Sequence, residues 1–556
     1  MNRRSIEAIF PLSPMQRGML FHTLYAPGAR AYFEQLTYAL EGPLDVGSLM
    51  GAWQRVLDRH PILRTQFVWD HRHEPLQVVR REVRLPWTLH DCRGLSSEEL
   101  RARLKAIRVA DRDQGFDLTS APLTRLIVIQ AEDELSYLIW SFHHALLDRW
   151  SVSVVTREVS RLYEGLVRGL EPSLAPSPSY QNYVRWCLGQ ERSRAEAFWS
   201  RTLQGVTSPI VLGADRAPGV ASAAPRYRQQ RISLSPEATA VLRTFSRSHH
   251  LTLNTLLQGA WALVLSHDAS VDDVVHGVTV TTRPADLPGA DAMVGCLINT
   301  LPLRVLVPPD QSALSWLQRL QAQLLELREY EHSSLVDIQG WSQVQRGRPL
   351  FESIVVFENI PLSESAPADR SLEFRPISAT QPRTGYPLAL VGVPGQALSL
   401  ALIYDAVRFE EAAMARLLRE LGTSLEWLAT APDQALSTLP LADHKGAPVL
   451  QATPLSEPRG AAVAAPVAPL TAAEVTLAGI WSEVLGVKTV GRQDDFFALG
   501  GHSLRAMQVA ARVRDAFDLE LPLATIFEVP TLAQLAERIE AAGGTAARSQ
   551  PDPRPG

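Results

Sequence analysis

Two adjacent histidines, His143 and His144, carry the most obvious chemistry in the chain, and Asp148 follows four residues after the second. They come directly after 135–142, a mostly apolar run of strand length, so a rigid element would present them at its end. Neighbouring side chains on an extended backbone point to opposite sides, so only one imidazole can face a given cleft and the pair cannot chelate one metal ion. A histidine held in a cleft can accept a proton or hydrogen-bond to a charged intermediate. The pattern therefore predicts an acid–base or electrostatic site without a metal.

A second candidate is Ser503, which comes shortly after Gly500 and Gly501 and begins a predicted helix that runs through Phe517. The first turn of a helix carries partial positive charge and free N–H groups, which favour a phosphodiester on such a serine. The alternative is a serine that only caps the helix.

The elements that must position these residues alternate between strands and helices up to about residue 440. Apolar spacing predicts helices at 44–59, 152–163, 251–265 and 410–429, and strands at 271–280 and 398–405. The proline- and serine-rich stretch 172–178 is typical of a boundary between two lobes. An Ala-, Pro- and Val-rich stretch, 441–468, predicts a linker, and helical segments follow it.

Composition narrows the class of function. A chain of 556 residues with a net charge of −5 has no excess of basic residues for nucleic acid or an anionic membrane. Cys92, Cys187 and Cys296 are far apart and form no CxxC pair, which argues against a disulfide framework or a zinc site and favours a reducing cytoplasm. We find neither a signal-length apolar core near the start nor an apolar run long enough to span a membrane.

The segment 143–151 resembles the HHxxxDG signature of nonribosomal peptide synthetase condensation domains, with Arg149 where that family has glycine. Further motif-like stretches follow the family order over about 5–440, namely 11–22, 59–67, 180–186, 293–305, 330–339 and 348–357. Their particular forms are similar to condensation domains that accept donors ending in a D-residue. The segment 494–504 resembles the carrier-protein attachment motif, which implies a covalent 4'-phosphopantetheine on Ser503.

The resemblance implies a mixed α/β (α+β) fold of two chloramphenicol-acetyltransferase-like lobes, with the site in a tunnel between them, followed by an all-α four-helix carrier bundle. The expected division is an N-terminal condensation lobe at 1–175 and a C-terminal lobe at 176–440. The division continues with a linker at 441–468, a peptidyl carrier domain at 469–541 and a disordered tail at 542–556.

The resemblance also implies roles for individual residues. His144 is the expected catalytic group, with His143 and Asp148 beside it. In the family, an arginine at the place of Arg64 supports the site, and a bidentate guanidinium suits a buried carboxylate, so we predict an Arg64–Asp148 ion pair that holds the histidine loop. The remaining residues expected to support the site are Arg149, Ser151, Asn299 and Arg304.

Two of these supporting assignments have open alternatives. Asn299 and Arg304 interrupt an apolar run, so Asn299 either lines the reaction channel or is a hydrogen-bonded amide at a strand end. Arg149 adds bulk and charge where glycine would let a substrate approach closely. It either points to solvent without effect, narrows the channel and weakens activity, or binds a carboxylate on an unusual substrate.

The expected function is amide-bond formation between a carrier-bound donor acyl thioester and an acceptor amine in secondary-metabolite (antibiotic) biosynthesis. The linker is too short for an adenylation domain, so the carrier is expected to be loaded in trans. Expected partners are an upstream donor carrier, an adenylation enzyme, a phosphopantetheinyl transferase and a downstream synthetase or thioesterase, without nucleic acid or membrane. The alternatives are a chain-releasing or ester-forming acyltransferase with a free amine or alcohol acceptor, and a silent recruiting domain marked by Arg149.

Overall fold

The computed structural model describes residues 5–25, 31–69, 74–212, 227–345, 348–358, 373–379, 385–441, 468–499, 501 and 503–543. The predicted linker at 441–468 and tail at 542–556 lie almost wholly outside these ranges. Within them, no helix is long and apolar enough to cross a membrane, and no group of three or more His, Cys, Asp or Glu side chains could hold a metal ion.

A mixed sheet organises the N-terminal part of the described chain, in the strand order β12-β2-β7-β6-β5. Its central pair is antiparallel, with Phe33 opposite His143, so the predicted histidine strand lies in the middle of the sheet. Alternation puts Phe33 against Phe116 and Gln35 against Asp111 of helix α3 (Ser97–Gln114), which leaves Glu34 and Leu36 on the opposite face. The strands are β2 (Phe33–Glu41), β5 (Trp87–Asp91), β6 (Thr124–Glu132), β7 (Leu135–His143) and β12 (Glu373–Ala379).

Helices and a small sheet complete this lobe. The small sheet has the order β1-β4-β3. Its strands and the helices of the lobe are β1 (Ile6–Pro11), β3 (Thr65–Val68), β4 (Leu76–Arg80), α1 (Pro14–Tyr25), α2 (Val46–Arg59), α3 (Ser97–Gln114), α4 (Arg149–Val167) and α5 (Tyr180–Leu188). Helix α5 lies beyond the predicted boundary at 175/176, yet its Tyr180, Tyr183 and Val184 are buried in the core of this first lobe.

A second sheet, in the order β10-β9-β11-β13-β14-β8 among the described strands, builds the C-terminal lobe. Its residues form a separate core that begins at Ala195 and ends at Leu436. The predicted helices near 251–265 and 410–429 are α8 and α11, and α8 is buried nearly all around. The elements are α6 (Arg192–Thr202), β8 (Tyr227–Ser233), α7 (Pro236–Ser248), α8 (Leu253–Ala269), β9 (Asp273–Thr281), β10 (Ile298–Leu306), α9 (Ala313–Arg328), α10 (Leu335–Trp341), β11 (Ser353–Phe357), β13 (Leu388–Val393), β14 (Ser399–Asp405) and α11 (Glu411–Thr430).

Among the described residues, a strand and a short segment from the second half of the chain join the lobes. Strand β12 comes from the C-terminal half of the chain but pairs antiparallel with β2, with Phe374 opposite Leu40, and so forms an edge of the first sheet. The segment 293–297, between β9 and β10, is likewise buried in the first core. The two lobes therefore share backbone hydrogen bonds as well as a contact surface.

In the described residues 468–499, 501 and 503–543, four helices form the carrier unit around buried Trp481, Phe496 and Phe517. They are α12 (Ala472–Leu485), α13 (Ser503–Phe517), α14 (Leu523–Glu528) and α15 (Leu532–Ala541). Helices α13 and α14 lie next to α1 of the first lobe. The mixed α/β fold followed by a helical unit confirms the predicted fold class.

Candidate active site

A cavity of about 360 Å³ lies between the two sheets, where the end of β7 meets the edge formed by β13, β14 and β8. Its first-lobe wall comes from β2, β7 and the start of α4, and its second-lobe wall from β8, β13, β14 and the residue after β11. The lining contains both aliphatic and charged side chains. The charged and imidazole side chains in it are Glu34, His144, Asp148, Arg149, Arg231 and Glu358.

His143 and His144 lie on opposite sides of the strand end. The ring of His143 is buried, with Nε2 3.3 Å from Thr23 Oγ1 and Nδ1 accepting a hydrogen bond of 3.2 Å from the Ala145 N–H. Burial lowers the pKa of His143 to about 3, so this ring is neutral and fixed. His144 lines the cavity, and its buried Nδ1 has no hydrogen-bond partner among the described residues. Of the pair, His144 is the one available to a substrate.

Asp148 fixes the turn that carries His144. Its carboxylate caps helix α4 by accepting 2.7 Å from the Ser151 N–H, and it reaches the other lobe by accepting 3.0 Å from the Leu297 N–H. The hydroxyl of Ser151 also bridges the lobes, since it donates 2.8 Å to the Gly295 carbonyl and accepts 3.0 Å from the Gly295 N–H. Asp148 and Ser151 therefore hold the histidine loop against segment 293–297.

The cation that pairs with Asp148 is Arg283, and the predicted pairing with Arg64 is wrong. Arg283 Nη2 lies 3.2 Å from both carboxylate oxygens, and the two side chains are 4% and 1% exposed, so the ion pair is buried. Arg64 instead pairs with Glu7 at 2.5 Å and donates to the carbonyls of Leu57 and Asp58. The guanidinium of Arg64 therefore links β1 to the end of α2, and it does not line the cavity.

Asn299 and Arg304 are not brought to the cavity either. The Asn299 amide donates 2.9 and 2.7 Å to the carbonyls of Glu331 and Ser333, so of the two alternatives the structure has the satisfied amide at a strand end. Arg304 forms an ion pair of 2.7 Å with Asp273 on the neighbouring strand. Both residues stabilise the second sheet, and neither lines the cavity around His144.

Arg149 is exposed and also lines the cavity beside His144. Its charge lowers the pKa of Glu34, although burial raises that pKa more strongly. The side chain is thus exposed to solvent and also close to the polar lining of the cavity, and its effect on activity stays a prediction.

Sequence reasoning missed two residues, Arg283 and Glu34. Arg283 follows the apolar strand β9 and precedes Pro284, and a charged residue at such a strand end is a usable signal. Glu34 is an acid on the cavity-facing side of β2, among apolar residues. Neither has a local motif, because their partners lie more than a hundred residues away in the chain.

Ser503 is the first residue of α13, and its side chain, like Gly500 and His502, lies outside the described parts of the structure. The preceding loop is held tightly, since the Asp495 carboxylate accepts from the N–H groups of Phe497 and Ala498 at 2.8 and 3.0 Å. A Cβ on Gly501 would lie 2.4 Å from the ring and carbonyl oxygen of Phe496, so only glycine fits there. These contacts order the described part of the loop, and the helix N-terminus that follows it fits a phosphodiester on Ser503.

A histidine in a cleft between two mixed sheets, with an aspartate that clamps its loop, is the arrangement expected for a two-lobed fold of the chloramphenicol-acetyltransferase-like class. Comparison with known families gives the particular assignment. Residues 6–450 match the Condensation domain family and residues 475–539 match the phosphopantetheine attachment site, so the chain belongs to the condensation domain family and carries a carrier domain after it. The stretch 451–474 between them is too short for an adenylation domain.

Curated relatives are large synthetases. A linear gramicidin synthase protein of Brevibacillus parabrevis is 43% identical over 451 residues, which cover 79% of this chain and 9% of that protein. Chondramide synthase cmdD of Chondromyces crocatus is 34% identical over 79% of this chain and 12% of that protein. Bacitracin synthase 3 of Bacillus licheniformis is 32% identical over 78% of this chain and 7% of that protein. The chain therefore spans a small part of the length of each.

Solved structures share the fold. The X-domain from teicoplanin biosynthesis superposes with a TM-score of 0.66 at 24% identity, covering 78% of this chain and 97% of that one. The condensation domain of the Monacolin K polyketide synthase MokA superposes with a TM-score of 0.63 at 18% identity, covering 78% of this chain and 100% of that one. These similarities confirm the expected two-lobed condensation fold.

Proposed function

We propose that this didomain joins a donor acyl group, delivered as a thioester on an upstream carrier, to the amine of an acceptor held on its own carrier domain. The observation that carries the proposal is His144, which lies in a cavity between the lobes and whose Nδ1 has no hydrogen-bond partner in the part of the chain that the structure describes. The same chain also contains the carrier. Much of the rate would come from confining two tethered reactants, since effective molarities can reach ~10⁵ M or more.

In this proposal His144 handles the proton of the reaction. A C–N bond forms as the acceptor nitrogen attacks the thioester carbon, and the C–S bond breaks. His144 takes a proton from the attacking nitrogen, or stabilises the charged species electrostatically, and returns the proton to the departing sulfur. His143 and Asp148 position the ring, because their own polar atoms are already occupied by protein groups.

Ser503 would hold the acceptor. When 4'-phosphopantetheine is bound there, it supplies the thiol that carries the acyl group. Because the chain has no adenylation domain between its two units, we propose that an adenylation enzyme loads it in trans after a phosphopantetheinyl transferase has modified it. An upstream donor carrier and a downstream synthetase or thioesterase complete the proposed partners. The free thiols of Cys92, Cys187 and Cys296 suit a cytoplasmic setting.

Two finer features of the substrates belong to the proposal. The sequence forms of the motifs favour a donor that ends in a D-residue. The position of Arg149, exposed at the rim of the same cavity, supports a contact with a carboxylate on a substrate. Relatives named as gramicidin and chondramide synthases support a role in secondary-metabolite biosynthesis.

The test is intact-protein mass spectrometry of the phosphopantetheinylated chain, mixed with loading enzymes and a charged donor carrier. We expect His144→Ala to abolish the condensed product on Ser503 while the mass shift from acceptor loading stays unchanged. His90→Ala, a histidine on β5 away from the cavity, is the matched control and should condense normally. Condensation at the normal rate by His144→Ala would contradict the role of His144.

The same assay separates the alternative functions. Turnover of a soluble amine or alcohol by a Ser503→Ala variant would favour a chain-releasing or ester-forming acyltransferase. Tight binding of charged carriers without any product would favour a silent recruiting domain.

A further inference from the structure

Glu34 is the acidic residue of β2 whose side chain faces the cavity that contains His144. Its strand partner across the sheet is Phe142, two residues before His144, and Phe142 lines the same cavity. Alternation along β2 gives Phe33 and Gln35 to the α3 face, so Glu34 and Leu36 are directed to the substrate side. Glu34 is therefore presented by a central strand of a rigid sheet.

The carboxylate of Glu34 has spare hydrogen-bonding capacity. Its Oε1 is buried and has no hydrogen-bond partner in the described parts of the chain, and the same holds for Nδ1 of His144. Of the other carboxylates lining the cavity, Asp148 is saturated by Arg283 and backbone N–H groups. A buried polar atom without a partner is uncommon, and two in one cavity indicate groups kept free for a ligand.

The environment of Glu34 shifts the pKa of its carboxyl group in both directions. Burial raises its pKa, His144 and Arg149 lower it, and Glu358 raises it, with the pKa raised overall. A carboxyl group with a raised pKa is better suited to accept a proton near neutral pH than an exposed one. The charged groups that face it from the surrounding elements are His144, Arg149, Arg112, Glu358 and, across the cavity, Arg231.

We propose that Glu34 is a second catalytic residue, which binds the acceptor's ammonium group and takes its first proton. This inference rests on the proposed function. An acceptor that arrives as an ammonium must lose two protons to become an amide nitrogen. Among the described residues that line the cavity, Glu34 and His144 each have a buried polar atom without a hydrogen-bond partner. Glu34 takes the first proton and passes it to water, which frees the nitrogen lone pair. His144 takes the second after the C–N bond forms and gives it to the sulfur as the C–S bond breaks.

The experiment compares two acceptors loaded on Ser503. One is an ordinary aminoacyl group; the other is an aminooxy acyl group, whose nitrogen is neutral at pH 7 and has no first proton to lose. We expect Glu34→Gln to slow condensation of the aminoacyl acceptor at pH 7 by about 100-fold, in the range of general-base effects, but to change the aminooxy rate less than about twofold. Raising the pH toward 9 should restore the aminoacyl rate of the variant, because the free amine then becomes populated.

Control variants keep the result specific. Glu41→Gln removes an exposed carboxyl group from the far end of the same strand, outside the cavity, and should leave both rates within about twofold. Glu34→Asp keeps the carboxylate on a shorter side chain. Its condensation rate with the aminoacyl acceptor should be reduced but should depend on pH as the wild-type rate does. Equal losses with both acceptors, or no loss in Glu34→Gln, would overturn the role of Glu34. Activity in His144→Ala would instead count against the proposed function, so the two failures are distinguishable.

Discussion

The Asp148–Arg283 ion pair is the residue-scale feature on which the geometry of His144 depends. Both side chains are nearly inaccessible to water, and the guanidinium also lies 5.2 Å from the ring centre of Trp150. Removing one partner from such a pair leaves an uncompensated charge in a medium of low polarity. The pair therefore couples the stability of the chain to the placement of the histidine loop.

We predict that Arg283→Met lowers the free energy of unfolding by about 3–5 kcal/mol, because the Asp148 carboxylate loses its cation. Denaturant titration followed by tryptophan fluorescence measures the change. Arg149→Met, at an exposed position, is the control and should change stability by less than about 0.5 kcal/mol. The double variant Asp148→Asn with Arg283→Met should be less destabilised than the sum of the single variants. A loss below about 1 kcal/mol in Arg283→Met would contradict the structural role.

Residue spacing predicted part of this site. His143, His144, Asp148 and Ser151 lie within one strand end and one helix start, so their sequence order carries their geometry. Arg283 and Glu34 reach the same place through pairing of distant strands, which no local pattern encodes. Arg64 was assigned by motif position, and the structure shows that its nearest carboxylate is Glu7.

At the scale of elements, the segment 293–297 between β9 and β10 is the backbone against which the histidine loop is held by hydrogen bonds. The Gly295 carbonyl accepts from the Asp148 N–H at 3.0 Å, and the Tyr180 hydroxyl donates 2.9 Å to the Cys296 carbonyl. A Cβ on Gly295 would lie 2.0 Å from the Tyr180 ring. Glycine is required because two helices and a strand connection meet at this point.

We predict that Gly295→Ala destabilises the protein by about 1–3 kcal/mol through overpacking against Tyr180 and also reduces condensation, because the segment that holds Asp148 must shift. Thermal unfolding and the mass-spectrometric condensation assay measure the two effects. Gly340→Ala in α10, where an added Cβ meets nothing within 4 Å, is the matched control and should be neutral or slightly stabilising. Normal activity in Gly295→Ala would show that the segment tolerates the shift.

Sequence periodicity predicted the longer elements but not their partners. Helices α8 and α11 and strands β7, β9 and β14 lie where apolar spacing placed them, because each buries a continuous face. Strand β12 has no such signal, since 374–377 are partly or fully exposed at a sheet edge. Its membership of the first sheet depends on a crossover that only the three-dimensional structure reveals.

At the scale of the whole molecule, the first lobe is completed by residues from the second half of the chain. Strand β12 covers the edge of β2, and segment 293–297 fills part of the first core. A domain that lacks an edge strand and part of its core exposes unpaired backbone groups and apolar surface.

We predict that a fragment of residues 1–190 does not fold cooperatively by itself, whereas its co-expression with residues 191–556 restores a soluble, condensing complex. Circular dichroism melts of the separate fragment and affinity co-purification of the pair test this. A sharp unfolding transition in the isolated fragment would show that the first lobe is autonomous.

The shared strand β12 and the clamp at Asp148 restrict how reactants can arrive. Opening the cleft widely would require breaking the β12–β2 ladder, a buried ion pair and the hydrogen bonds of Ser151 together. Under the proposed function, reactants reach His144 without such an opening, which favours slender, extended tethers over bulky folded partners. A preference for long thin tethers, ahead of any recognition of the cargo at their tips, is what we expect of such a scaffold.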